Sequence, residues 1–351
     1  MASAIAGSLL VYLPFRHDMT TIDRYWDGPS YLMIAKDGYH PGPGNPLAPD
    51  PAKPPFYLAH LPAYPAVVRL LSFLGYERAL LAASVGCGAL AAILFFRLAR
   101  DVWRLGSPLF LSIVFLFATP RWLLYRSVGA TEPLFLALVM ASILFFERER
   151  FAAAALAGAV ATLTRPMGVL IYPAYALLLF LRGRRREQLW LLAIPAALLG
   201  YLLYCRWTFG SALAMAEPNL NKLYSLVPFH TFQWLFGVRL LHQVEFYILL
   251  ALLYGIGILR LSRFPVPMAY AAFQFGFLLI VGSEDWSRFA LPAMPFALVL
   301  GYEDVLRTRA FRLALPVFIG LSVYYAWNAI PLNLCPPELY AAILTYLRIH
   351  P

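Results

Sequence analysis

Asp23, Asp27, Glu132, Arg165, Asp285 and Arg288 are side chains able to do chemistry in a chain where only 13% of 351 residues are charged. Asp23 and Asp27 stand in Asp23-Arg24-Tyr25-Trp26-Asp27-Gly28-Pro29-Ser30-Tyr31. Glu132 stands in Thr131-Glu132-Pro133, Arg165 in Thr164-Arg165-Pro166, and the last two in Glu284-Asp285-Trp286-Ser287-Arg288. A charge at bilayer depth costs about 2.5–3.5 kcal/mol, so each needs a reason. Taken singly, interfacial anchoring is a sufficient one. Taken together at one membrane face, carboxylates and arginines make a site for an anionic headgroup and its acceptor. The carboxylate takes a proton while guanidinium groups hold anionic oxygens.

Two readings of Asp27 stand side by side. Directly before Gly28-Pro29, it reads as an N-cap whose carboxylate accepts free backbone N–H groups. Equally, it is a catalytic base held at a membrane surface. Tyr31, Ile34 and Ala35 follow at i, i+3, i+4 and Gly38 supplies a stop, which predicts a short amphipathic helix. Thr131 before Glu132-Pro133 has the pattern of a helix cap.

The elements that must carry these residues are apolar. The chain is 61% hydrophobic with mean hydropathy +0.68, and apolar segments recur at about 1–15, 78–97, 107–124, 131–146, 151–164, 167–181, 188–206, 243–260, 265–282, 289–303 and 312–330. They predict an all-α polytopic membrane protein with about 11 spans (range 9–12), in a single transmembrane domain over 1–351. No Lys or Arg precedes the first apolar run, so no cleavable signal is expected. The arginines gather in short turns: Arg97/Arg100/Arg104, Arg148/Arg150, Arg182/Arg184/Arg185/Arg186, Arg260/Arg263 and Arg307/Arg309/Arg312. With alternating spans starting inside, these 14 arginines all fall in the cytoplasm beside six acids, as the positive-inside rule requires. They account for most of the net charge of +10, so nucleic-acid binding is not needed.

Two long segments fall on the outer face, 16–77 and 207–242. The first has ten prolines and cannot be one helix. Its pattern predicts interfacial helices at about Ser30–Lys36 and Pro65–Leu74. Three cysteines imply no disulfide framework. The six histidines lack HxxxH or HxH spacing, so no metal cluster is expected. No P-loop, dinucleotide fingerprint or nucleophile elbow is present.

Arg24-Tyr25-Trp26-Asp27-Gly28-Pro29-Ser30-Tyr31-Leu32, with Ile34-Ala35 and Gly38-Tyr39, resembles the first-loop motif of the GT-C superfamily of membrane glycosyltransferases. The similarity is greatest to the second mannosyltransferase of GPI-anchor synthesis and its bacterial relatives. Pro62-Ala63-Tyr64-Pro65 resembles their P-x-Y-P element and Thr131-Glu132-Pro133-Leu134-Phe135 their S-E-x-L-F. Ala161-Thr162-Leu163-Thr164-Arg165-Pro166-Met167-Gly168 is similar to A-T-x-x-R-x-x-G, and Ser287-Arg288-Phe289 with Leu291-Pro292 and Pro295 to the late R-[FY]-x-x-P. The order matches over about residues 1–300. The strict paired acidic motif of many GT-C first loops is absent, since Asp23 and Asp27 are four apart.

The resemblance implies transfer of a hexose, with mannose the expected one, from a polyprenyl-phosphate sugar to a hydroxyl acceptor. The acceptor would be a glycolipid, a growing glycan or a protein. The site would lie on the outer face of a bacterial plasma membrane, and the anomeric centre would invert. Asp27 is the candidate base and Asp23 its substitute. Arg165 and Arg288 are candidates for the phosphate, with Glu132, His60 and Asp285 beside them, and Trp26 and Tyr64 as sugar-stacking surfaces. No cofactor is implied beyond the donor itself, and a divalent metal is not predicted. The rival classes are a transporter or lipid flippase, which would carry ionisable groups at the midplane and often a repeat, and a non-catalytic scaffold.

Overall fold

The computed structural model describes residues 1–41, 44–47, 56–215, 229–237, 240–280 and 285–349, helical nearly throughout, with no strand beyond one isolated bridge. In chain order the helices that matter are α1 (Ala2–Tyr12), α2 (Gly28–Asp37), α3 (Ala63–Leu70), α4 (Tyr76–Arg97), α5 (Pro108–Phe117), α6 (Pro120–Tyr125) and α7 (Glu132–Glu147). There follow α8 (Phe151–Thr164), α9 (Ile171–Leu181), α10 (Ala193–Phe209), α11 (Leu241–Leu259), α12 (Pro265–Leu278), α13 (Arg309–Ala329) and α14 (Pro337–Ile349). The all-α membrane architecture is the expected one. Among the described residues four stretches are long and apolar enough to cross a membrane: Tyr76–Val102, Gln188–Phe209, Leu241–Leu259 and Arg309–Leu332.

The other apolar segments are shorter or interrupted, and proline is the reason. The run at 107–124 is two helices. Pro120 has no N–H for a continuing ladder, Thr119 turns extended, and its hydroxyl accepts from Trp122 N at 3.2 Å to start α6. The run at 289–303 divides likewise into a short helix, Trp286–Phe289, and a π-helical turn, Pro295–Leu300, around Pro292 and Pro295. At Pro166 a 3₁₀ turn, Pro166–Leu170, precedes α9.

At the centre α4 packs on α7, α7 on α8, and α8 on α10. The close approach of α8 follows from its sequence, in which Ala154, Ala161 and Gly158 present small surfaces to their neighbours. Across the α7–α8 contact the Ser142 hydroxyl donates to Ala154 O at 2.8 Å. The arginine turns meet at one end of the bundle. Arg148 lies 3.9 Å from Asp101 and Arg184 2.9 Å from Glu149, while Arg260 and Arg263 pair with Asp304 and Glu303. Arg307 is 3.3 Å from Glu303 and packs on Gly106, which joins the two groups. Glu132 sits at the opposite end of α7 from Glu147, about 22 Å away at 1.5 Å per residue.

The first long segment contains the expected helices as α2 and α3, and α2 packs its apolar residues into the protein. Tyr31, Leu32, Met33, Ile34 and Ala35 are all buried, because α3, α4 and the late helix α14 cover them. Residues 333–335 also pair with the first loop. Trp26 N donates to Asn333 O at 3.0 Å and Cys335 N to Arg24 O at 2.9 Å, with an antiparallel bridge between Tyr25 and Leu334.

Candidate active site

Five charged or titratable side chains from distant parts of the chain converge where α2, α7, α8 and the Trp286–Phe289 helix end. Asp27 precedes α2 and occupies its N-cap position, yet makes no side-chain cap bond. Its carboxylate turns instead to His60, whose Nε2 is 3.2 Å from Oδ1, and to Arg288, whose Nη2 is 3.7 Å from Oδ2. The capping reading of Asp27 is therefore set aside by its geometry. Burial works against a charge there, but the His60 imidazole and the Arg288 guanidinium outweigh it and hold the carboxyl below its usual range.

Glu132 is the hub on the other side. It opens α7 and is only 2% exposed. Its Oε1 accepts from Arg288 Nε at 2.5 Å and from Arg165 Nη1. The second oxygen, Oε2, is buried with no hydrogen-bond partner among the described residues. Arg165 also donates to Thr131 Oγ1 at 3.2 Å. Thr131 makes no cap bond to α7, so its expected capping role is replaced by a contact with Arg165. Breaking a buried ion pair by deleting one partner typically costs about 3–5 kcal/mol, so this network is rigid as well as polar.

The chain places Arg165 by a tight return. α8 ends at Thr164, Arg165 is extended (φ −147°, ψ 134°), and the 3₁₀ turn follows. Gly168 N donates to Arg165 O at 2.9 Å, and Gly168 lies against the end of α8 so closely that a Cβ would fall 2.6 Å from Thr162 N. Backbone cannot yield as a side chain can. Gly168→Ala is expected to cost about 1–3 kcal/mol, read as a lower unfolding temperature of the detergent-solubilised protein; an unchanged value would show that the turn is soft.

A second polar group adjoins the first. Arg121 pairs with Asp285, and the Tyr125 hydroxyl lies 3.5 Å from Asp285 Oδ2. The Tyr125 ring carries the Arg288 guanidinium 4.7 Å from its centroid, a cation–π contact that fixes the arginine's plane. Arg121 and Tyr125 were not among the expected residues. The available signal was a guanidinium inside an otherwise apolar run directly after Pro120.

Two expected residues stand elsewhere. Asp23 ends the short helix Thr20–Asp23 and makes no ion pair with Arg165 or Arg288. Its Oδ1 has no partner among the described residues, and burial, then the nearby Glu77 and Asp18 carboxylates, push it up to about 7. As a substitute for Asp27 it is misplaced. Tyr64 is fully buried, edge-on to Tyr31, with its hydroxyl 2.6 Å from Ser84 Oγ. It offers no ring face to a sugar. Glu284 lies outside the described residues. Trp26, by contrast, is 47% exposed beside Asp27 and held at φ 45°, a conformation that costs a bulky residue about 1–3 kcal/mol. Among the described residues no three His, Cys, Asp or Glu side chains group as a metal site.

Fold and cluster together define a polytopic helical membrane protein with a buried, charge-paired site at the end of the bundle remote from the arginine turns. The fold is similar to that of ArnT from Cupriavidus metallidurans. A crystal structure of that protein bound to undecaprenyl phosphate matches with a TM-score of 0.56 and 14% identity, covering 99% of this chain and 72% of the other. Its apo-state crystal structure matches with a TM-score of 0.52 and 17% identity, over 100% and 75%. At these identities the likeness is one of fold, and it agrees with the GT-C-like architecture expected from the motifs. No protein-family model matches the sequence, and no curated protein does.

Proposed function

We propose that the protein is a membrane glycosyltransferase of the GT-C type that takes a hexose, mannose by its motifs, from a polyprenyl-phosphate donor to a hydroxyl acceptor outside the cell. The observation that carries this reading is the convergence of Asp27, Arg288, Glu132 and Arg165. One ionised carboxylate stands beside the Arg288 guanidinium, which shares a buried glutamate counter-ion with a second guanidinium, Arg165. In the step proposed, the acceptor oxygen bonds to the anomeric carbon as the bond from that carbon to the phosphate oxygen breaks. The electron pair leaves with the phosphate, held by Arg288 and Arg165, and the hydroxyl proton passes to Asp27. Attack opposite the phosphate inverts the centre. Exposed Trp26 is the surface on which the sugar stacks.

The fold shared with a protein crystallised with undecaprenyl phosphate supports a lipid-linked donor. So does an apolar groove of about 520 Å³ between the 3₁₀ turn, α9 and α12, lined by Leu170, Leu177, Phe273, Gly276, Phe277 and Ile280. Leu170 is five residues beyond Arg165, about 10 Å at 3₁₀ rise, so a phosphate at Arg165 and a prenyl tail in the groove fit one molecule. A Cβ on Gly276 meets nothing within 4 Å, so Gly276→Trp fills the groove without a backbone clash. Displacing two methylenes at about 0.8 kcal/mol each raises the KM for a long-tailed donor roughly tenfold. A short-tailed donor analogue is expected to be unaffected.

The decisive test is to incubate purified protein in membranes with labelled polyprenyl-phosphate mannose and follow the label. Its appearance in a new lipid, glycan or protein supports the reading. Label that crosses the bilayer unreacted assigns the protein to transport instead.

A further inference from the structure

His60 is the least expected member of the cluster, and the structure builds more around it than an incidental contact needs. It lies in the loop between the turn Phe56–Ala59 and α3, only 5% exposed. Its backbone is held at both ends: His60 N donates to Tyr57 O at 3.0 Å, and His60 O accepts from the Tyr39 hydroxyl at 2.6 Å. The imidazole packs edge-on to Tyr31, with ring centroids 4.9 Å apart at 79°. The preceding residue but one is tied down as well, since Leu58 O accepts from the Tyr201 hydroxyl at 2.8 Å. The imidazole held in this way presents Nε2 to Asp27 Oδ1 at 3.2 Å.

From this geometry we infer that His60 is the positioning residue for Asp27: its Nε2–H donates to Oδ1 and holds the carboxylate so that Oδ2 receives the acceptor's hydroxyl proton. The inference rests on the function proposed above, and it assigns the two carboxylate oxygens different work. Oδ1 is tied by a directional donor at hydrogen-bond range. Oδ2 faces Arg288 at 3.7 Å, beyond a direct hydrogen bond, and keeps its lone pairs for an incoming hydroxyl. His60 keeps its own proton throughout. A free carboxylate rotates about its terminal bond. One held at a single oxygen meets the acceptor in a fixed orientation, and orientation of this kind is worth orders of magnitude in rate.

The consequence for pH follows in sign. Among the described residues, the titratable and charged groups facing Asp27 are His60 and Arg288, which favour its ionised form, and Glu132, which opposes it; Tyr31 stands behind the imidazole. Because Asp27 is held below its usual range, the base stays ionised as the pH falls and the acid limb of the rate profile lies low. Removing His60 removes the donor that holds Oδ1, the larger of the two favourable contacts, so the acid limb moves to higher pH.

Three variants test this with labelled polyprenyl-phosphate mannose in membranes. His60→Ala is expected to lower kcat by about 10–100-fold with donor KM unchanged, and to shift the acid limb upward by about one unit. His60→Gln, whose amide can donate to the same oxygen, recovers most of kcat. Asp27→Asn, assayed alongside, is slower by about 10²–10⁴-fold. A His60→Ala enzyme with an unmoved acid limb, or a His60→Gln enzyme no faster than His60→Ala, overturns the positioning role while leaving the transferase reading intact. If the wild type transfers nothing, that reading fails, and the pairing is still read by nitrogen-15 NMR of histidine-labelled protein, with His60→Gln assigning the signal. A His60 imidazole resonance that does not move on Asp27→Ala, which removes the acceptor, overturns the inference.

Discussion

Asp27→Asn is expected to reduce transfer from polyprenyl-phosphate mannose by about 10²–10⁴-fold, the usual contribution of a positioned general base, while leaving the protein folded and in the membrane. The two side chains have the same shape. The amide oxygen can still accept from His60, so the positioning contact survives. What is lost is the lone-pair-bearing Oδ2: its place is taken by an NH₂ group that cannot receive a proton and that points its hydrogens toward Arg288. Wild-type transfer by this variant would remove Asp27 from the mechanism. Asp23→Asn is the natural control. That side chain makes no contact with either arginine, and its replacement is expected to keep most of the activity.

Arg288→Lys is expected to lower kcat/KM by about 10²–10³-fold, the size seen when one anion-stabilising donor is removed from an active site. Charge is kept and geometry is lost. The guanidinium reaches Glu132 through Nε and Asp27 through Nη2 while its plane lies over Tyr125, and a single ammonium cannot satisfy all three at once. Arg288→Ala goes further by leaving Glu132 with Arg165 alone, and lost expression would then confound the result. Separate measurement of donor KM and kcat for Arg288→Lys is the check. An effect confined to KM would mean that Arg288 binds the donor without acting on the transition state.

Much of this site was legible because the chain is so apolar. In a sequence with 13% charged residues, a carboxylate beside Gly-Pro or an arginine before a proline is conspicuous, and Asp27, Glu132, Arg165 and Arg288 do come together. The gathering of the arginine turns was legible for the same reason. The failures have physical causes. Asp23 and Asp27 share a face only if one helix carries both, and the chain breaks between them at Trp26. Thr131 sits where a cap should, but Arg165 competes for its hydroxyl. Arg121 was hidden inside a run counted as a single span until Pro120 divided it. Tyr64 reads as an exposed aromatic in a loop, and its burial against Tyr31 and Ser84 depends on how α2, α3 and α4 pack.

The main-chain pairing of residues 24–26 with 333–335 has a bearing on the birth of the molecule. A ribosome releases Trp26 some 300 residues before Asn333, a delay of about 15–60 s at 5–20 residues per second. Throughout that interval the segment carrying Asp27 lacks the partner that orients it. The main-chain contacts that orient this segment therefore close only once residues 333–335 have been made, so the loop before α2 is among the last parts of the molecule to reach its folded geometry.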